Sequence, residues 1–199
     1  HEPPIAAMRN GLLYVPRSYD RSKPAPLIVL LHGAGGRARN WFGSYGARSE
    51  TLGAIMLAPE SRGSTWDAIH GDFGPDIPFV NSALRYTFEH CAIDPRRIAL
   101  AGFSDGATYA ISLGMANGDL FTHIVAFSPG FVREHTPVGK PPIFISHGTR
   151  DQILPIEVTS RAIVPALKRR GYSVEYVEFD GRHEVPPAIS TQGWEWFLR

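Results

Sequence analysis

The chain has 199 residues, 43 % of them hydrophobic, enough to bury one substantial core, so a single domain over residues 1–199 is expected. Formal charge is +1 and the pI about 8.1, with basic residues scattered apart from Lys168-Arg169-Arg170, which excludes the electrostatic footprint of a nucleic-acid or anionic-membrane binder. The lone cysteine, Cys91, excludes an intramolecular disulfide and a cysteine-built metal site, and no apolar run reaches the roughly 18 residues of a membrane span.

In chain order, residues 11–15 read as an outer strand and 16–26, with Pro and Ser, as a connection. Residues 27–31 are continuously apolar, as in a strand buried on both faces of a parallel sheet. The glycine-rich turn His32-Gly33-Ala34-Gly35-Gly36 follows, and then a helix over 40–51 interrupted by Gly43 and Gly46. Residues 54–58 form the next buried strand, and 61–78, without a clear period, a long surface loop. Phe79, Val80, Ala83, Leu84, Phe88 and Cys91 recur at helical spacing, with Asp76 and Pro78 as start signals.

Strand 98–101, turn 102–106 and a helix ending near Asn117 and Gly118 come next, followed by strand 123–127, loop 128–141 and strand 143–146. Residues 147–155 form a polar loop and 156–170 a helix, which Pro165 should kink or shorten. Strand 174–179, loop 180–185 and helix 188–198 close the chain. Roughly six or seven short strands alternating with helices give an α/β fold, an open and mostly parallel sheet covered on both faces, which binds ligands at the carboxyl ends of its strands.

Those strand ends carry the reactive side chains. Gly102-Phe103-Ser104-Asp105-Gly106 is a G-x-S-x-G pattern between a strand and a helix, the context of a nucleophile elbow. Its strained turn presses its two flanks together, and both are glycine. Asp151 follows strand 143–146 and His183 follows strand 174–179, so the order serine, acid, histidine matches that of an α/β-hydrolase. A serine hydroxyl needs a neutral imidazole to take its proton and a carboxylate to fix the tautomer. His183 and Asp151 are assigned those roles, with His147 as the rival base better suited to bracing the acid's loop, and Glu178 and Asp180 as rival acids. The oxyanion donors are expected to be the amide of Asp105 and that of Ala34, with Gly33 and Gly35 as alternatives to the latter. Neither G-x-x-x-x-G-K-[ST] nor G-x-G-x-x-G is present to make the glycine turn a phosphate cradle, and no paired histidine spacing suggests a metal, so neither cofactor nor metal is expected.

Together, His32-Gly33-Ala34-Gly35-Gly36, Gly102-Phe103-Ser104-Asp105-Gly106, His147-Gly148-Thr149-Arg150-Asp151 and Gly181-Arg182-His183 resemble the phospholipase/carboxylesterase branch of the α/β-hydrolases, near the polyhydroxybutyrate-depolymerase-like esterases. The resemblance spans roughly residues 27–187 and implies a serine esterase with its triad on Ser104, Asp151 and His183. Many members carry glutamine or asparagine after the nucleophile and a further glycine beyond the motif, where this chain has Asp105 and Ala107, so a carboxylate stands next to the oxyanion.

With no room for a cap domain, an open cleft walled by 61–78 and 128–141 is expected, suited to short acyl esters. Trp41, Trp66, Phe103 and Phe131 are the candidate substrate-binding side chains, with Phe42 and Phe73 beside them. The expected partner is a small ester. Thioesterase, lysophospholipase, polyester or feruloyl esterase, small serine peptidase and an inactive hydrolase-fold binder are the alternatives. Beginning at His1 without a signal-like segment, the chain is expected to be soluble, either cytoplasmic or secreted after leader removal.

Overall fold

The computed structural model describes residues 11–199, and the side chains of 42–46 lie outside the described residues. Its strands are β1 (Gly11–Tyr14), β2 (Ala25–Leu31), β3 (Ile55–Pro59), β4 (Ile93–Phe103), β5 (His123–Phe127), β6 (Ile143–Gly148) and β7 (Val174–Phe179). The helices are α1 (Ala38–Leu52), α2 (Asp67–His70), α3 (Asp76–His90), α4 (Asp105–Ala116), α5 (Ser160–Arg169) and α6 (Pro187–Leu198). The strands form one sheet in the order β1-β3-β2-β4-β5-β6-β7, parallel throughout except for β1, which runs antiparallel along β3.

The unbroken apolar run of β2 follows from burial on both faces. Leu27, Val29 and Leu31 enter a core with Val80, Ala83 and Leu84 of α3, Ile111 of α4, and Ile163 and Leu167 of α5. Ile28 and Leu30 point the other way, into a second core with Trp41 of α1 and Ile189, Trp194 and Phe197 of α6. A strand so placed cannot alternate apolar with polar residues, because neither face meets water. Each of these aliphatic side chains removed from water contributes about 1.5–3 kcal/mol, and a charge at Val29 would reverse that contribution.

Several elements depart from the expected boundaries for local reasons. β4 begins at Ile93 rather than 98, because Asp94 accepts hydrogen bonds from the Arg96 amide (3.0 Å) and the Arg97 guanidinium (2.9 Å), so this polar stretch extends along Ala25 past a register shift. α5 starts at Ser160, four residues after the expected start, with Ile156 still buried beneath it. The expected loop 61–78 contains the short α2 and the first turn of α3. Two inward carboxylates replace a hydrophobic period there. Asp76 accepts from the amides of Arg62 (2.6 Å) and Asp67 (2.7 Å), and Asp67 accepts from those of Gly74 and Asp76. β6 continues to Gly148, so His147 is a fully buried strand residue rather than part of a polar loop.

Candidate active site

β4 delivers Ser104 to the carboxyl edge of the sheet, where the chain turns into α4. Ser104 has φ 57° and ψ −123°, a conformation that costs a non-glycine residue of order 1–3 kcal/mol and is retained only where the surroundings enforce it. Enforcement comes from close packing. A Cβ on Gly102 would overlap the Gly106 carbonyl, and one on Gly106 would overlap the carbonyl oxygens of Leu31 and His32. The Ser104 amide is held by Phe127 O, and its carbonyl accepts from the amides of Ala107 and Thr108, the first turn of α4.

β6 and β7 supply the next two side chains. Ser104 Oγ lies 2.8 Å from His183 Nε2, and His183 Nδ1 lies 2.6 Å from Asp151 Oδ2. In the tautomer this line requires, Nδ1 donates to the carboxylate and Nε2 accepts the serine hydroxyl. Asp151 also accepts from the amides of Ile153 (2.9 Å) and Leu154 (2.8 Å) through Oδ1. Burial alone would raise its pKa, but the Leu154 amide, His183 and the Ile153 amide outweigh it and hold the carboxyl below its usual value.

His147 approaches the same oxygen of the acid, its Nε2 3.1 Å from Asp151 Oδ2. Its Nε2 donates to Leu154 O (2.8 Å), which leaves Nδ1 to accept the Ser160 hydroxyl (2.7 Å). In that tautomer the ring is neutral, in keeping with the burial that lowers its pKa. It braces the loop whose amides hold Asp151. Neither rival acid touches His183 among the described contacts: Glu178 pairs with Arg161 and Asp180 with Arg150.

The glycine turn stands against the elbow. A Cβ on Gly33 would come within 3.3 Å of Ser104 Cβ. Gly33 O accepts both His32 Nδ1–H (2.7 Å) and the Gly36 amide (3.0 Å). In a planar trans peptide N–H points opposite to C=O, so these two bonds turn the Ala34 amide away from His32 and Gly36. The Gly35 amide is already bound to Ser64 O (2.7 Å). Among the described residues, the amides of Ala34 and Asp105 make no backbone hydrogen bond and remain available, the latter at the N-terminus of α4.

A cavity of about 450 Å³ opens beside the elbow, lined by His32, Gly33, Ala34, Gly36, Asn40, Trp41, Arg48, Phe103, Val185, Pro187 and Ser190. Two of the expected lining residues, Trp41 and Phe103, are there. Trp66 is not: it is fully buried between His32 and Tyr109, its Nε1 donating to His32 O (2.8 Å), so it is a core residue that supports the turn from behind. Phe131 lines a separate pocket with Val158 and Ala162, and Phe73 stacks on His135, while the side chain of Phe42 lies outside the described residues. The walls are therefore α1 and the segment after His183 rather than loops 61–78 and 128–141. Val185 and Pro187 could have been suspected from their closeness in sequence to His183, whereas nothing in the sequence singled out Asn40 or Arg48. Among the described residues no cluster of His, Cys, Asp and Glu could hold a metal ion, and no helix is long and apolar enough to cross a membrane.

Sheet order, elbow and strand-end residues define an α/β-hydrolase fold. The chain belongs to the phospholipase/carboxylesterase family, whose model matches residues 72–190. It is 27 % identical over 157 residues to feruloyl esterase C of Emericella nidulans, covering 75 % of this chain and 57 % of that protein, so it spans a little over half of that relative's length. Among solved structures, esterase PE8 superposes with a TM-score of 0.73 at 21 % identity, over 92 % of this chain and 97 % of that one. A ferulic acid esterase from Anaeromyces mucronatus, solved in complex with ferulic acid, gives a TM-score of 0.72 at 21 % identity, over 94 % and 83 %. At that identity the likeness establishes the fold.

Proposed function

We propose that the chain is a serine carboxylesterase that cleaves small carboxylic esters through an acyl-enzyme on Ser104. The observation that carries this reading is the continuous hydrogen-bonded line Ser104–His183–Asp151, at 2.8 and 2.6 Å, beside the unengaged amides of Ala34 and Asp105. As Ser104 Oγ attacks the ester carbonyl carbon, His183 Nε2 takes the hydroxyl proton, and Asp151 stabilises the imidazolium that forms. The carbonyl oxygen becomes an oxyanion facing the two amides, a term worth about 3–4 kcal/mol per donor. On collapse the alcohol leaves with the proton from His183. Water then repeats the cycle on the acyl-enzyme, releasing the acid and restoring Ser104.

Family membership supports the reaction class, and the cavity of about 450 Å³ supports a small acyl or alcohol group. A second reading, an aromatic acyl group such as ferulate, is favoured by Trp41 and Phe103 on the cavity wall and by the names of two similar proteins. The test is a panel of aryl esters from acetyl to palmitoyl beside methyl ferulate, with fluorophosphonate labelling of wild type and Ser104→Ala. Turnover should peak at short chains or at ferulate, and labelling should vanish in the variant. Labelling elsewhere than Ser104, or none in folded wild type, would leave the inactive binder as the better reading, and a maximum at palmitoyl would contradict the small pocket.

A further inference from the structure

The second oxyanion amide belongs to a turn that is separate in sequence from the elbow, and something must fix the distance between the two. Residues 61–66, which follow β3, touch both. They hold the turn through three hydrogen bonds: the Ser61 amide to His32 Nε2 (3.0 Å), the Gly35 amide to Ser64 O (2.7 Å), and Trp66 Nε1 to His32 O (2.8 Å). Because His32 Nε2 accepts from Ser61, the ring's proton sits on Nδ1, where it donates to Gly33 O and orients the Ala34 peptide. At its other end the segment is fastened to the elbow helix. Thr65 Oγ1 donates to Asp105 Oδ2 at 2.6 Å, and Trp66 stacks on Tyr109 of α4, with ring centroids 5.0 Å apart.

Asp105 is the residue immediately after the nucleophile, and its carboxylate is a negative charge close to where negative charge develops. By Coulomb's law alone it opposes the reaction proposed above. A carboxylate at that position calls for a compensating use, and its short bond to the buried Thr65 hydroxyl supplies one, since hydrogen bonds to an ionised acceptor are about twice as strong as neutral ones. We infer that Thr65 and the Asp105 side chain are positioning residues: their bond clamps segment 61–66 between elbow and glycine turn and so sets the spacing of the Asp105 and Ala34 amides. Neither side chain touches the reacting atoms in this role. The inference rests on the serine-esterase reading but predicts something that reading does not require.

The test is steady-state kinetics on a short aryl ester with Thr65→Val, Thr65→Ser, Asp105→Ala and the double variant Thr65→Val/Asp105→Ala. Misplacing a donor by about 1 Å costs up to about 100-fold, so Thr65→Val and Asp105→Ala should each lower kcat by about 10- to 100-fold with KM within about 3-fold. Thr65→Ser, which keeps the hydroxyl, should recover most of kcat. The double variant should be no slower than the worse single one, because both break one bond. Removing a charge that merely repels the oxyanion would instead raise kcat in Asp105→Ala, and that result overturns the inference. So do an unchanged kcat in either single variant, losses that multiply in the double variant, or a Thr65→Ser no better than Thr65→Val. If Thr65→Val does not fold, Asp105→Ala reads the same bond from its partly exposed end. Wild-type turnover that Ser104→Ala abolishes stands apart from all of these outcomes, so failure of the clamp is distinguishable from failure of the esterase reading.

Discussion

At the scale of single residues, the two histidines around Asp151 sit in contrasting surroundings. His183 reaches the serine through Nε2, whereas His147 spends that nitrogen on Leu154 O and the other on Ser160. His183→Ala should therefore lower kcat by about 10,000-fold or more with little change in folding. His147→Gln should keep kcat within about tenfold but cost about 1–3 kcal/mol of stability, since it leaves buried partners imperfectly matched. Ester turnover beside a thermal melt checks both, and the reverse pattern would exchange their roles. The convergence of Ser104, Asp151 and His183 was legible in the sequence because each follows a strand and the three keep a fixed chain order. Thr65 and Trp66 were not. Their bonds join residues 40 and 34 positions apart through side chains that obey no period, so the sequence offers Trp66 as a cleft-lining aromatic where the fold buries it completely.

At the scale of elements, legibility followed burial. Strands buried on both faces announce themselves as apolar runs, so the positions of β2, β3, β5 and β6 could be read directly; β5 keeps both expected ends, while β2, β3 and β6 shift by one or two residues. Polar stretches ordered by their own hydrogen bonds leave no such trace, as in the first residues of β4 and the segment around α2. α5 gives the sharpest case, because Pro165 stands out in the sequence while the helix begins four residues later than its pattern implies. Pro165 is the sixth residue of α5 and exposed, so it withholds an amide from the Arg161 carbonyl and gives no buried contact in exchange. Pro165→Ala should restore that bond. Proline is about 3 kcal/mol less favourable than alanine inside a helix, and the looser unfolded chain returns up to about 1 kcal/mol of that. A net gain of about 1–2 kcal/mol is expected, visible as a rise in melting temperature of about 2–8 °C with kcat unchanged.

For the whole molecule, the decisive quantity is how many protons the folded chain refuses. Burial lowers the pKa of His32, His123 and His147 in the fold, and the first and last of these are almost or completely inaccessible to water. Their folded pKa values lie below the unfolded value of about 6.5, so the unfolded chain binds more protons once the pH drops past that point. Stability from these groups is complete above about pH 7 and declines as the pH falls toward their folded values, at about 1.4 kcal/mol per pH unit for each fully buried histidine. His123, half-buried and edged by Trp196 and Phe197, contributes less. Asp76 works in the opposite direction, since burial raises its pKa, but it begins to matter only near the carboxylate range. Urea denaturation at pH 7.5 and 5.5 should therefore give a lower midpoint at the acid pH, and His147→Gln should flatten that difference even though it lowers stability at both. A midpoint independent of pH, or one that rises on acidification, would mean that the buried rings take up protons in place, against the lowering of their pKa by burial.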